Sequence, residues 1–210
     1  MRLYLKIFFF LLLLLEFFSC GTQRPASYDN IESLNLSSQN LKRIPRSIKR
    51  CKNLVYLDLE HNNIRHIPRF IAKMDSLRSL DLNYNHLKLT KSDIRHAARV
   101  KKLSIGGNNI EKLPENIGIL QCTNLNLGKN KLKDLPESFR DLTQLKHLIF
   151  YENEFKTVPE EIEHLDSLEH LDFYKNHIKE IPDFIGNYKE LKYRRHVSRK
   201  RFSQQVARMD

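Results

Sequence analysis

The sequence is short of the residues that punctuate or cross-link a chain. Among its 210 residues are six glycines, seven prolines and three cysteines. So few glycines and prolines leave no room for a low-complexity linker, and no stretch after residue 30 interrupts the pattern long enough to mark a second domain. A Gly-rich phosphate loop and an HExxH pair are both missing, and the carboxylates are scattered over surface columns. That inventory points away from an enzyme. Long apolar runs are scarce too. Residues 7–15 form a run of nine, whereas a membrane-spanning helix needs about 20. Negative charge is in deficit, with 25 Asp and Glu against 36 Lys and Arg. Over half of the excess lies in residues 189–210, so the rest of the chain is only mildly basic and a general attraction to polyanions is not indicated.

What fills the chain is one stretch written repeatedly. Shifting residues 54–76, LVYLDLEHNNIRHIPRFIAKMDS, by 23 places Leu57 on Leu80, Leu59 on Leu82 and Asn62 on Asn85. A fixed period of this size marks a solenoid, in which each unit hides its apolar side only by stacking on its neighbours. Seven units begin at Ile31, Leu54, Leu77, Val100, Cys122, Leu145 and Leu168. All are 23 residues long except the fourth, which has 22 and covers residues 31–190 together with the others.

Within a unit, apolar residues two apart, such as Leu57 and Leu59, predict a short strand with one buried face. One strand per unit, always in the same direction, predicts a parallel sheet. Gln39, Asn62, Asn85, Asn108, Asn130, Asn153 and Asn176 follow the strands, and a buried amide there satisfies backbone groups that the turn leaves unpaired. An Ile-Pro or Leu-Pro step then opens a return segment, an irregular or single-turn helix. Cys51 and Cys122 fall in apolar columns of units one and five. Some four strand spacings of about 4.8 Å separate them, beyond the roughly 7 Å limit for a disulfide. They are expected to be small buried hydrophobes.

The pattern LxxLxLxxNxLxxIPxxIxxLxx resembles the leucine-rich repeat. Its length and proline position are similar to the class found in intracellular Ras-binding and cell-polarity scaffolds and in many bacterial proteins. The resemblance implies an α/β solenoid of about seven repeats, with a curved parallel sheet on the concave face. Two departures stand out. In unit three, Thr90 and Lys91 replace the Ile-Pro step, and Ser92-Asp93 ahead of Ile94, Ala97 and Ala98 predict an N-capped helix of about two turns. Unit four has lost a residue near Gln121. Both changes lie on the return side, so the strand register should survive. Leu191 opens an eighth unit, but Arg194 stands where Leu belongs. Tyr193, Val197, Phe202 and Val206 are expected to form one face of a capping helix over residues 191–210.

At the N-terminus, basic, apolar and small-residue segments follow one another, the order of a secretory signal over residues 1–19. The junction at Cys20 resembles the lipobox of bacterial lipoproteins, although Phe17, Phe18 and Glu16 depart from it. The resemblance implies lipidation of Cys20, with residues 20–30 as a polar tether and an address in the cell envelope, anchored to a bacterial membrane. Exported animal relatives usually carry cysteine-rich caps, which this sequence lacks.

Side chains that point away from the core form columns about 4.8 Å apart on the sheet. Two clusters emerge there. Tyr56, Asp58, Glu60, His61, Asp81 and Tyr84 make an acidic, aromatic patch near the start. His147, Ile149, Tyr151, His170, Asp172 and Tyr174 make a second near the end, flanked by Glu152 and Lys175. The small residues Gly106, Gly107 and Gly128 lie between them. Aromatics exposed on such a face are anchors for a protein or peptide ligand. The alternative is plain cross-strand pairing, worth about 0.2–1 kcal/mol per pair. His147 and His170 share a column near Asp172, and two imidazoles with a carboxylate would suit zinc. With only two ligands aligned, no metal, cofactor or catalytic residue is assigned. The expected role is therefore a lipid-anchored, protein- or peptide-binding scaffold. The alternative is a structural envelope protein that holds anionic lipid or polymer through its basic tail, nucleic acid being the weaker partner because an exported protein seldom meets it.

Overall fold

The computed structural model describes residues 28–191 and 193–195. Eight three-residue strands form one parallel sheet in chain order. They are β1 (Ser33–Asn35), β2 (Tyr56–Asp58), β3 (Ser79–Asp81), β4 (Lys102–Ser104), β5 (Asn124–Asn126), β6 (His147–Ile149), β7 (His170–Asp172) and β8 (Tyr193–Arg195). The central residue of each strand meets its counterpart in the next, so Leu34, Leu57, Leu80, Leu103, Leu125, Leu148 and Leu171 form one buried column. The period of two within a strand and of 23 between strands thus produces a leucine-rich-repeat solenoid. Leu103 pairs with Leu125 across the short fourth unit, so the missing residue is absorbed on the return side.

Opposite the sheet, the chain returns through single turns of 3₁₀ helix, among them Arg46–Arg50, Arg69–Lys73, Glu137–Asp141 and Asp183–Asn187. A proline with φ between −62° and −74° precedes each of these four. Its fixed φ suits the first turn, where its missing N–H costs nothing. Each turn points one apolar residue back inward, such as Ile48, Ile71, Phe139 and Ile185. Toward the C-terminal end the core becomes aromatic. Phe150 stacks on Phe173 with centroids 5.0 Å apart, and Phe155 meets the edges of both. Cys51 and Cys122 are free and buried, as their columns require.

The asparagine column ties consecutive repeats together. Asn130 Oδ1 accepts the backbone N–H groups of Asn108 and Ile110, each at 3.0 Å, while its Nδ2 donates to the carbonyls of Ile105 and Leu127. Asn62, Asn85, Asn108, Asn153 and Asn176 repeat the arrangement with their own neighbours. One amide therefore bonds four backbone groups, and its oxygen takes two N–H groups that the turn leaves without a strand partner. Gln39, in the first unit, bonds within its own turn instead, its side-chain amide donating to the carbonyl of Ser37.

Two expectations need correction. The helix of the third unit, α1 (Lys91–Ala97), is capped by Thr90 and not by Ser92. Thr90 Oγ1 accepts the Asp93 N–H, and the Asp93 carboxylate accepts the Thr90 N–H, because Asp93 sits three positions after the cap and its short side chain reaches back. The eighth unit also continues further than Arg194 implied. Arg194 pairs in register with Leu171, and Tyr193 lies in β8, not on a capping helix, because ladder pairing on the edge of β7 needs backbone groups and no leucine. Val197, Phe202 and Val206 lie outside the described residues, as do Cys20 and residues 1–19, the stretch expected to be a signal. Among the described residues, no helix is long and apolar enough to cross a membrane.

Candidate functional site

Beyond β1 to β7 the backbone turns left-handed at the residue before the column amide, and in the first and fourth units again just after it, at Asn40 and Asn109. Ser38, His61, Tyr84, Gly107, Lys129, Glu152 and Lys175 all have φ between 50° and 65°. This left-handed conformation costs a residue with a Cβ about 1–2 kcal/mol. It is offset by a hydrogen bond, since from Ser38 to Glu152 each of these residues donates its N–H to a carbonyl of the next repeat at 2.7–3.0 Å. The turn sends the asparagine inward and leaves the left-handed residue's own side chain on the surface, in a row along the edge of the sheet's open face.

That row links the two predicted clusters. The rings of His61 and Tyr84 stack with centroids 4.4 Å apart and planes 6° from parallel. Tyr84 lies over Gly107, where an added Cβ would come within 2.7 Å of its ring, and Tyr151 covers Gly128 in the same way. The Lys129 ammonium stands 5.2 Å from the Tyr84 ring centroid and 5.9 Å from that of Tyr151. Burial first, then its hydrogen bond with Tyr84, pushes the Tyr151 phenol above its ordinary range, and the hydrogen bond to Tyr84 raises Lys129. Further along, Lys175 Nζ donates to Glu152 Oε1 at 2.6 Å. The glycines are thus not a gap between two patches but the floor on which Tyr84 and Tyr151 lie. Beside the row, at its N-terminal end, opens a shallow groove of about 480 Å³ lined by His61, Asn63, Tyr84, His86 and Gly107. A larger groove of about 840 Å³, bordered by Leu135, Val158, Pro159, Ile181 and Phe184, lies on the return side, away from all of the predicted residues.

Other predicted residues are placed differently. Tyr56 and Tyr174 are exposed, at 52% and 39%. Ile149, expected to be exposed, is half-buried. Asp58 and Asp172 are partly committed to structure, since Oδ1 of each accepts the backbone N–H two residues on, from Glu60 and Tyr174. Asn35, Asp81 and Asn126 close their strands the same way. The column read as ligand-facing is therefore largely a row of turn-closing carboxylates and amides. Asp81 sits beside Asp58 and Glu60, and burial, helped by those two charges, pushes its pKa up to about 6 against the pull of its hydrogen bond from Asn83. His61 Nε2 approaches Glu60 Oε1 at 3.8 Å.

His147 and His170 meet as their shared column predicts, with ring centroids 4.5 Å apart. Burial first and His170 second lower the His147 pKa below the ordinary imidazole value. The carboxylate that joins them is Glu169, not Asp172. Lys129 and Glu169 are the residues that sequence reasoning missed. The presence of Gly107 in the Lys129 column was the one available signal, because glycine is at home in the left-handed region.

A leucine-rich-repeat family model matches residues 29–87 and 121–178, more than half of the chain. The unmatched interval holds α1 and the shortened fourth unit, the two departures from the repeat. Among solved structures, a leucine-rich-repeat protein of Leptospira interrogans is 32% identical with a TM-score of 0.67, over 79% of this chain and 48% of its own. The plant peptide hormone receptor RGFR1 in complex with RGF2 is 31% identical with a TM-score of 0.59, over 73% of this chain and 26% of its own. The chain thus spans about half the length of the first and about a quarter of the second. No curated protein sequence matches it.

Proposed function

The chain belongs to the leucine-rich-repeat family, and from that premise we propose that it is an exported, lipid-anchored, non-enzymatic scaffold that takes a protein or peptide ligand along the open face of its sheet. The observation that carries this reading is the continuous aromatic and cationic strip from His61 through Tyr84, Lys129 and Tyr151, with Tyr56 and Tyr174 exposed at either end. Rings laid flat over glycine offer broad contact area at little entropic cost, which is what an interface anchor needs. Fixed backbone turns hold them, so little ordering remains to be done on binding. The similar plant peptide hormone receptor is in complex with RGF2, which supports a protein or peptide ligand.

The basic, apolar and small-residue order of residues 1–19, followed by Cys20, supports export and the anchor. Mass measurement of the mature N-terminus tests that part, and an unmodified Cys20 removes the lipid from the proposal.

The binding face is tested with a partner recovered by affinity purification of the anchored protein. Tyr151→Ala with Tyr174→Ala is expected to weaken the purified pair by at least about tenfold. Ile119→Ala, which removes the exposed isoleucine of the 3₁₀ turn Ile117–Ile119, should leave it unchanged. Weakening by Ile119→Ala alone would move the site to the return side and end the proposal.

A further inference from the structure

His147 and His170 are matched residues on β6 and β7. Their rings stack at 4.5 Å with planes 20° from parallel, and cross-strand pairing explains that much. It does not explain the third group. Glu169, the residue before β7, brings a carboxylate oxygen to the same place, so that one donor atom from each of the three residues lies within 4.8 Å of the others. Among the described residues no other trio of such donors comes together. All three are half-buried, which leaves the donors reachable while shielding them from bulk water. Lys146 Nζ donates to Glu169 Oε1 at 2.8 Å and fixes the carboxylate beside the rings.

We propose that His147, Glu169 and His170 bind a divalent transition metal of borderline hardness, with zinc as the natural case. Two imidazole nitrogens and one carboxylate oxygen are a ligand set that zinc takes, with a fourth position left for water or another ligand. Calcium and magnesium, which demand oxygen, are disfavoured by the two nitrogens. Tetrahedral bonds of about 2.1 Å set donors about 3.4 Å apart, so small rotations of the two rings bring the trio to bonding distance. The charges of Lys102 and Lys146, which bear on His147, oppose the ion and limit its affinity without removing a donor. The site stands whether or not the face takes a peptide, because the metal is measured alone.

The test uses the full chain, freed of metal by chelation, titrated with Zn²⁺ by calorimetry and with Co²⁺ by visible absorption. One Zn²⁺ per chain and the strong visible bands of four-coordinate Co²⁺ are expected. Serine occupies the same column at Ser33 and Ser79, so the pair His147→Ser and His170→Ser is expected to keep the fold, to be checked by circular dichroism. That pair should lower Zn²⁺ affinity by at least about 100-fold and abolish the Co²⁺ bands, and Glu169→Gln should lower affinity by about tenfold. Absence of Zn²⁺ binding by the unaltered chain at micromolar concentration overturns the proposal. So does equal affinity in the double variant, which would place the ion on the other histidines.

Discussion

The carboxylate of Asp93, on the short helix of the third repeat, accepts the backbone N–H of Ile67 from the second repeat at 2.6 Å. It also closes the capping box with Thr90 and lies 3.3 Å from His66 Nδ1. A single buried carboxylate thus starts α1 and fastens it to the neighbouring coil, at the place where the usual Ile-Pro step is missing. Asp93→Ala strands the Ile67 N–H and removes the cap, a loss of about 2–4 kcal/mol in urea unfolding. Thr90→Ala removes one side of the capping box and should cost about 1 kcal/mol.

The asparagine ladder makes a contrast between its members. Asn130→Ala strands the buried N–H groups of Asn108 and Ile110, while the carbonyls of Ile105 and Leu127 keep the amides of Asn108 and Asn153, and should destabilise by at least about 2 kcal/mol. Gln39→Ala loses one bond at a half-buried position and should stay within about 0.5 kcal/mol. Equal midpoints for the two variants in chemical denaturation would contradict the ladder's role.

Stability should fall as pH rises through the Asp81 titration. An acid whose folded pKa, about 6, exceeds its ordinary 3.8 holds its proton more tightly when folded. Ionising it therefore costs stability, a penalty absent below 3.8 and complete above about 6. Asp81→Asn retains an oxygen for the Asn83 N–H and removes the charge beside Asp58 and Glu60. After allowance for solvent screening it should stabilise the protein by about 1 kcal/mol at pH 7. The gain should vanish near pH 4, as thermal melts at both pH values will show.

The left-handed row predicts opposite signs for two exchanges. Gly107→Ala places a Cβ at φ +65° and within 2.7 Å of Tyr84, and should lower stability by about 1–2 kcal/mol. Ser38→Gly relieves the same backbone cost at φ 57° and should raise stability by about 0.5–1 kcal/mol after the entropic loss of glycine. Melting temperatures moving in the same direction would refute the strain argument.

Much of the fold was legible because it follows from a period. The buried leucine column, the parallel register across the short fourth unit and the asparagine bonds all depend on spacing, and spacing is written in the chain. The candidate site was legible in part. The columns of Tyr56, His147 and His170 came out as the register requires, but three features depend on conformation that no spacing carries. The left-handed turn at His61, Tyr84 and Lys129 is imposed by hydrogen bonds to the next repeat, and residue type hardly announces it. Lys129 bridges two tyrosines from different repeats only because glycines let their rings lie flat. Glu169 reaches the histidines from the position just before β7, where Lys146 Nζ holds its carboxylate, and no column of the strand pattern includes it.

Because the main chain alone aims the left-handed row, whatever residue occupies a position there is presented at the same angle and pitch as its neighbours. Such a row works like a line of movable type. Letters can be exchanged, or another coil set at the end of the line, and the press that holds them stays as it was.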